Sequence, residues 1–223
     1  MIPSRKSHLT GFSLVELLVV ILIISLLLTL GAGVMKSIGS GNSLGSAVAT
    51  SEALFDEARA IAVGKGTRAR VLVDVNDPQN EETYLRRLVL CYEELDEQGQ
   101  PMKEKWVLSS RGQNLPEKTY FSKEFSKKNH ETGEGDMEEK SYTFGKDIYD
   151  GKYIAYEFNS EGICTSPGTS FVIGSGVRPL GQAPRPAAEG KRDFGGFVVW
   201  RNGRTSLFRD PEQIGLPAQV TTF

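Results

Sequence analysis

Hydrophobic positions along this chain change period twice. A short polar leader carrying Arg5, Lys6 and His8 runs into an apolar stretch from Leu17 to Leu30 that only Ser25 and Thr29 interrupt. Residues 12–35 predict a helix long enough to cross a hydrocarbon core of about 30 Å at about 1.5 Å per residue. Arg5 and Lys6 would hold its start in the cytoplasm. Glycines 31, 33, 39 and 41 then weaken the helical pattern, which returns with Leu44, Val48, Phe55, Ala58 and Ala62 on one stripe, widened by Leu54 and Ile61. One long helix over about 12–63 is expected, ended at Gly64-Lys65-Gly66 and laying this stripe on a sheet.

Beyond residue 64 the period falls to two. Ala69, Val71, Val73 and Val75 alternate with Arg70 and Asp74, which predicts a strand over 68–75 with its charged residues turned away from the core. Further strands are expected over 84–93, 105–109, 153–159, 170–173, 196–201 and 205–209. Asn76-Asp77-Pro78 and Gln98-Gly99-Gln100-Pro101 are turn material, and Asn202-Gly203 is a two-residue hairpin signal. A polar insertion over about 122–141 and a Pro/Gly-rich loop over 177–193 interrupt the strands. An antiparallel meander fits the first spacings. The expected class is α+β: a long N-terminal transmembrane α-helix packed on an antiparallel β-sheet or β-sandwich-like C-terminal domain. The expected divisions are 1–11 (leader), 12–35 (transmembrane helix), 36–63 (amphipathic continuation) and 64–223 (extracytoplasmic β-rich domain).

Composition narrows the chemistry. Net charge is −2, so the chain as a whole lacks a basic footprint for nucleic acid. There are two histidines, His8 in the leader and His130 in the insertion, which leaves little room for a Ser-His triad. No nucleophile elbow, zinc-protease motif or phosphate-cradling loop is present. No enzyme activity and no cofactor are expected. The acidic run 130–139 offers hard oxygen ligands for calcium but lacks the EF-hand order, and reads foremost as a solvated loop. Cys91 and Cys164 each lie in an apolar, strand-like context. In an oxidising compartment they could form one disulfide; two buried thiols are equally compatible with the sequence.

Glu16 is the costly residue in the apolar segment, because an acid within a membrane span is a functional hypothesis by default. Its context, Gly11-Phe12-Ser13-Leu14-Val15-Glu16-Leu17 after a short basic leader, resembles the prepilin leader of type IV pilins and type II secretion pseudopilins. The resemblance implies cleavage between Gly11 and Phe12 by a prepilin peptidase and N-methylation of Phe12. It also implies pairing of the new amine with Glu16 of a neighbouring subunit. More loosely, the segment 154–162 and the late hairpin 197–204 are similar to minor pseudopilins of the H type. The calcium idea for the acidic run follows the major pseudopilins.

The expected function is therefore a minor pseudopilin of a type II secretion filament, with no nucleic acid as partner. Its partners would be the prepilin peptidase, other pilin or pseudopilin subunits, membrane lipid and an inner-membrane assembly platform driven by a cytoplasmic ATPase. The expected placement is the bacterial inner membrane, single-pass, with the C-terminal domain periplasmic. A type IV pilus or DNA-uptake subunit is the alternative, resting on Arg178, Arg185, Lys191 and Arg192 in the late loop. A membrane-anchored binding module is a third.

Overall fold

The computed structural model describes residues 14–179, 181–186, 193–208, 210–217 and 220–223; for 26–42 and 211 it describes the backbone alone. Among these, helix α1 (Leu14–Lys65) precedes thirteen strands and one short 3-10 turn, Pro211–Ile214. The strands are β1 (Ala69–Asp74), β2 (Arg87–Leu95), β3 (Pro101–Leu108), β4 (Gln113–Asn114), β5 (Thr119–Phe121), β6 (Lys127–Asn129) and β7 (Glu134–Asp136). They continue with β8 (Glu139–Tyr142), β9 (Gly151–Phe158), β10 (Thr169–Val177), β11 (Arg185–Pro186), β12 (Phe194–Val199) and β13 (Thr205–Leu207). Contacts divide the chain into two compact units, Met1–Gly39 and Ser40–Phe223.

In the first unit the described side chains from Leu14 to Ile24 are exposed, Glu16 stands in the first helical turn, and the Ser25 hydroxyl donates to the Ile21 carbonyl at 2.8 Å. Among the described residues no helix is long and apolar enough to cross a membrane. That overturns the transmembrane segment expected over 12–35 and the single-pass placement in an inner membrane with a periplasmic domain. The α+β class built on such a segment falls with it: the described chain is mainly β.

In the second unit the predicted stripe is buried. Leu44, Ala47, Val48, Leu54, Phe55, Ala58 and Ala62 join Val71, Val73, Ile154, Tyr156, Phe158, Phe171, Ile173, Phe197 and Val199 in one core. The helix ends in a Schellman arrangement. Gly66 is left-handed at φ 66°, its N–H reaches the Val63 carbonyl at 3.3 Å, and the Thr67 N–H reaches Ala62 at 3.2 Å.

All described strand pairs are antiparallel. One sheet runs β3-β2-β1-β9-β8, with β4 also on β2; the other runs β11-β10-β12-β13, with β5 also on β10. The expected meander is the β1-β2-β3 half of the first sheet. β9 then returns to the free side of β1, pairing Val71 with Tyr156 and Val73 with Ile154. The polar insertion is partly ordered: β6 and β7 form a hairpin, and β8 extends the first sheet.

The late hairpin forms with a different turn from the one expected. Trp200 and Arg204 close it, and Gly203, at φ 72°, is its left-handed residue, while Asn202 is not left-handed. This is a three-residue loop with a bulged glycine rather than a two-residue turn. A Cβ on Gly203 would overlap the Gly162 carbonyl oxygen and press on Arg59. Gly203→Ala is expected to destabilise the fold by about 1–3 kcal/mol, from left-handed strain plus overlap. A chemical-denaturation midpoint within error of wild type would refute this.

Candidate functional site

β1 is buried on both faces. Val71 and Val73 face α1, whereas Leu72 packs on the other side of the sheet with Val89, Cys91, Trp106, Tyr142, Tyr149 and Tyr153. This second cluster is roofed by the segment after β8. The Tyr149 hydroxyl donates to the Arg111 carbonyl at 3.0 Å, that of Tyr153 donates to Tyr149 at 2.8 Å, and Arg87 donates to the Ile148 carbonyl at 3.1 Å.

At one end of this outer face the sheet register gathers a charged network. Arg70 of β1 lies opposite Glu157 of β9 and Cys91 of β2, while Glu93 of β2 lies opposite Trp106 of β3. Arg70 Nε and Nη2 reach Glu157 Oε2 at 2.6 and 2.5 Å, and its Nη1 donates to the Tyr142 hydroxyl at 2.7 Å. The guanidinium lies 3.9 Å from the centre of the Trp106 ring. Arg68, just before β1, grips Glu93 through two N–H groups at 3.0 and 2.6 Å and also reaches Glu104 at 3.2 Å. Bidentate arginine–carboxylate pairs are the strong kind.

The electrostatics follow from this geometry. The Arg68 hydrogen bonds hold the Glu93 and Glu104 carboxyls below the usual range, and the same carboxylates push the Arg68 guanidinium up. Burial pushes the Tyr142 phenol up to about 12 and raises the Cys91 thiol, so neither is a ready nucleophile. Beside the network opens a groove of about 420 Å³, whose lining includes Arg68, Arg70, Lys128, Glu138, Lys140 and Glu157. With Glu104, its lining carries four cations and three carboxylates, which suits recognition of a polar partner better than proton transfer.

The residues singled out from sequence do not meet here. Gly11 and Phe12 lie outside the described residues; Glu16 is exposed in the first turn of α1. Cys91 and Cys164 are free thiols, Cys91 in the outer cluster and Cys164 in the main core. In the acidic insertion Asp136 pairs with Lys127 and Glu138 with Lys128, both at 2.5 Å, and Glu139 pairs with Lys123. Among the described residues no group of three acids, cysteines or histidines is placed to hold a metal ion.

His130 is half-buried against Phe208, at 4.7 Å between ring centres, and burial lowers its pKa. Of the late-loop cations, Arg178 donates to the backbone carbonyls of Asn80 and Pro78, while Lys191 and Arg192 lie outside the described residues.

Arg68, Arg70, Glu93, Glu104, Trp106, Tyr142 and Glu157 were not predicted as a site. Their signal was weak but present: Arg70 and Glu157 are charged residues at alternate positions among the apolar residues of their strands. Compared with protein-family models, curated proteins and solved structures, the chain has no match in any of the three.

Proposed function

We propose that the chain is a pilin-like structural subunit of the minor pseudopilin kind, built into a type II secretion filament through the start of α1. The observation that carries this reading is the exposed apolar face Leu14–Ile24 with Glu16 in its first turn, directly after the Gly11-Phe12 junction. Exposed leucine, isoleucine and valine side chains on one helix gain about 25 cal/mol per Å² when neighbouring helices cover them. A prepilin peptidase would cut after Gly11, leaving the methylated amine of Phe12. That amine would pair with Glu16 of the next subunit, since opposite charges away from water favour docking over separation. The β-rich unit is carried on the later turns of α1 and has no chemistry of its own to perform; the work of assembly comes from a separate ATPase.

Mass spectrometry of the N-terminus from the native host tests the processing step. A methylated Phe12 start is expected, and an intact Met1 start would end the reading. Glu16→Ala is expected to be processed normally yet to enter filaments at least about tenfold less, the effect of one lost charge pair of about 1.4 kcal/mol or more. Wild-type incorporation of that variant would remove the docking role of Glu16.

A further inference from the structure

The groove has two kinds of cation. On its floor Arg70 is fixed by Glu157, Tyr142 and the Trp106 ring, with its side chain only 10% exposed. On its rim Lys128 and Lys140 share one carboxylate, Glu138, at 2.5 and 3.8 Å, and that side chain is 62% exposed. Exposed pairs of this kind hold weakly and exchange readily. Swinging Glu138 away would release both ammonium groups together, in a groove that Thr165 and Ser166 also line. Glu138 therefore stands where a carboxylate from outside would stand.

We propose that this groove docks an acidic segment of a partner protein, one of whose carboxylates replaces Glu138 between Lys128 and Lys140. Glu104 and Glu157 select the partner class. They line the same groove and are held to Arg68 and Arg70. A nucleic acid would bring a phosphate at every step and meet these carboxylates. An extended polypeptide places successive same-side groups about 6–7 Å apart, and can put one carboxylate at the lysines and neutral groups elsewhere. Glu138 acts as a built-in competitor that tunes affinity downward. This docking does not rest on the filament reading, so an unprocessed N-terminus would leave it standing.

The test is calorimetric titration of the full chain at low salt with a single-glutamate peptide, acetyl-Gly-Ser-Gly-Glu-Gly-Ser-Gly-amide, with its lysine counterpart and with an oligothymidylate. The glutamate peptide is expected to bind saturably, and Glu138→Gln to tighten it by about fivefold, the scale of one exposed competing pair. The double variant Lys128→Glu/Lys140→Glu is expected to weaken it by at least about tenfold. Both lysines are surface residues, and circular dichroism of the double variant would check that it folds. The proposal is overturned if Glu138→Gln binds the glutamate peptide no better than wild type, or if the lysine peptide binds equally well. Tighter binding of the oligothymidylate would assign the groove to nucleic acid instead, and absence of binding by the glutamate peptide would remove the site.

Discussion

Phe55→Ala is expected to lower the folding stability of the second unit by about 3–5 kcal/mol, the range for truncating a fully buried aromatic. Phe55 has no exposed surface, and its ring meets four others. The centres of Tyr156, Phe171 and Phe197 lie 5.0, 5.2 and 5.0 Å away, and that of Phe158 lies 6.2 Å away. Tyr156 and Phe158 belong to β9 in the first sheet; Phe171 and Phe197 belong to β10 and β12 in the second. One helical side chain thus joins both sheets, and its loss opens a cavity where neither sheet can close in without moving the other. Urea unfolding should show a lower midpoint with little change in slope, since the surface exposed on unfolding is nearly the same. Phe55→Leu should recover a large part of the loss. A loss below about 1 kcal/mol for the alanine variant would mean that the sheets collapse onto the helix independently, against the interlocked core described above.

The helix stripe and most strands were legible because their periods are local. Leu44, Val48, Phe55, Ala58 and Ala62 repeat at helical spacing and are all buried. Residues 69–75 alternate as a strand should, and β1 lies within that span. Alternation says which residues face the nearer core; it does not say whether the far face is wet. Arg70 and Asp74 were expected outward, and both are buried, because Trp106 and the segment carrying Tyr142, Phe144 and Tyr149 cover that face. The partners come from β3, β8 and β9, many positions away along the chain, so no local window contains the site. The Asn202-Gly203 pair located a hairpin but not its turn, since one extra loop residue moves the left-handed position onto Gly203 alone. The apolar start of α1 read as a membrane span from its length, its basic leader and the prepilin-like context of Glu16. Among the described residues no helix is long and apolar enough to cross a membrane, and the apolar positions from Leu44 onward are taken up by the sheets.

Arg70→Ala is expected to cost about 3–5 kcal/mol, because it strands a carboxylate rather than merely deleting a contact. Glu157 would keep only the longer 3.6 Å approach of Arg68, the Tyr142 hydroxyl would lose its donor, and the Trp106 ring would lose its cover. Replacing both ends of the pair, as in Arg70→Met with Glu157→Leu, should recover most of the loss, since an apolar pair of similar volume carries no stranded charge. A double variant as unstable as Arg70→Ala alone would place the loss in packing against Trp106 rather than in the charge.

The same network sets an acid dependence. Arg68 holds the folded-state pKa of Glu93 below the ordinary glutamate value of about 4.3. Its stabilisation is therefore complete above that ordinary value and is lost as pH falls through the lower folded value. Asp74 acts in the opposite sense: burial raises its pKa, so its ionised form weakens the fold and protonation relieves the strain as pH falls. The raw acid limb mixes the two, and the informative quantity is the difference between wild type and Glu93→Gln. That difference should be largest near neutrality and shrink below about pH 4, as wild type gives up the charge that the variant never had. A difference that stays constant down to acid pH would show that Glu93 contributes through its shape and neutral hydrogen bonds, and not through the ion pair with Arg68.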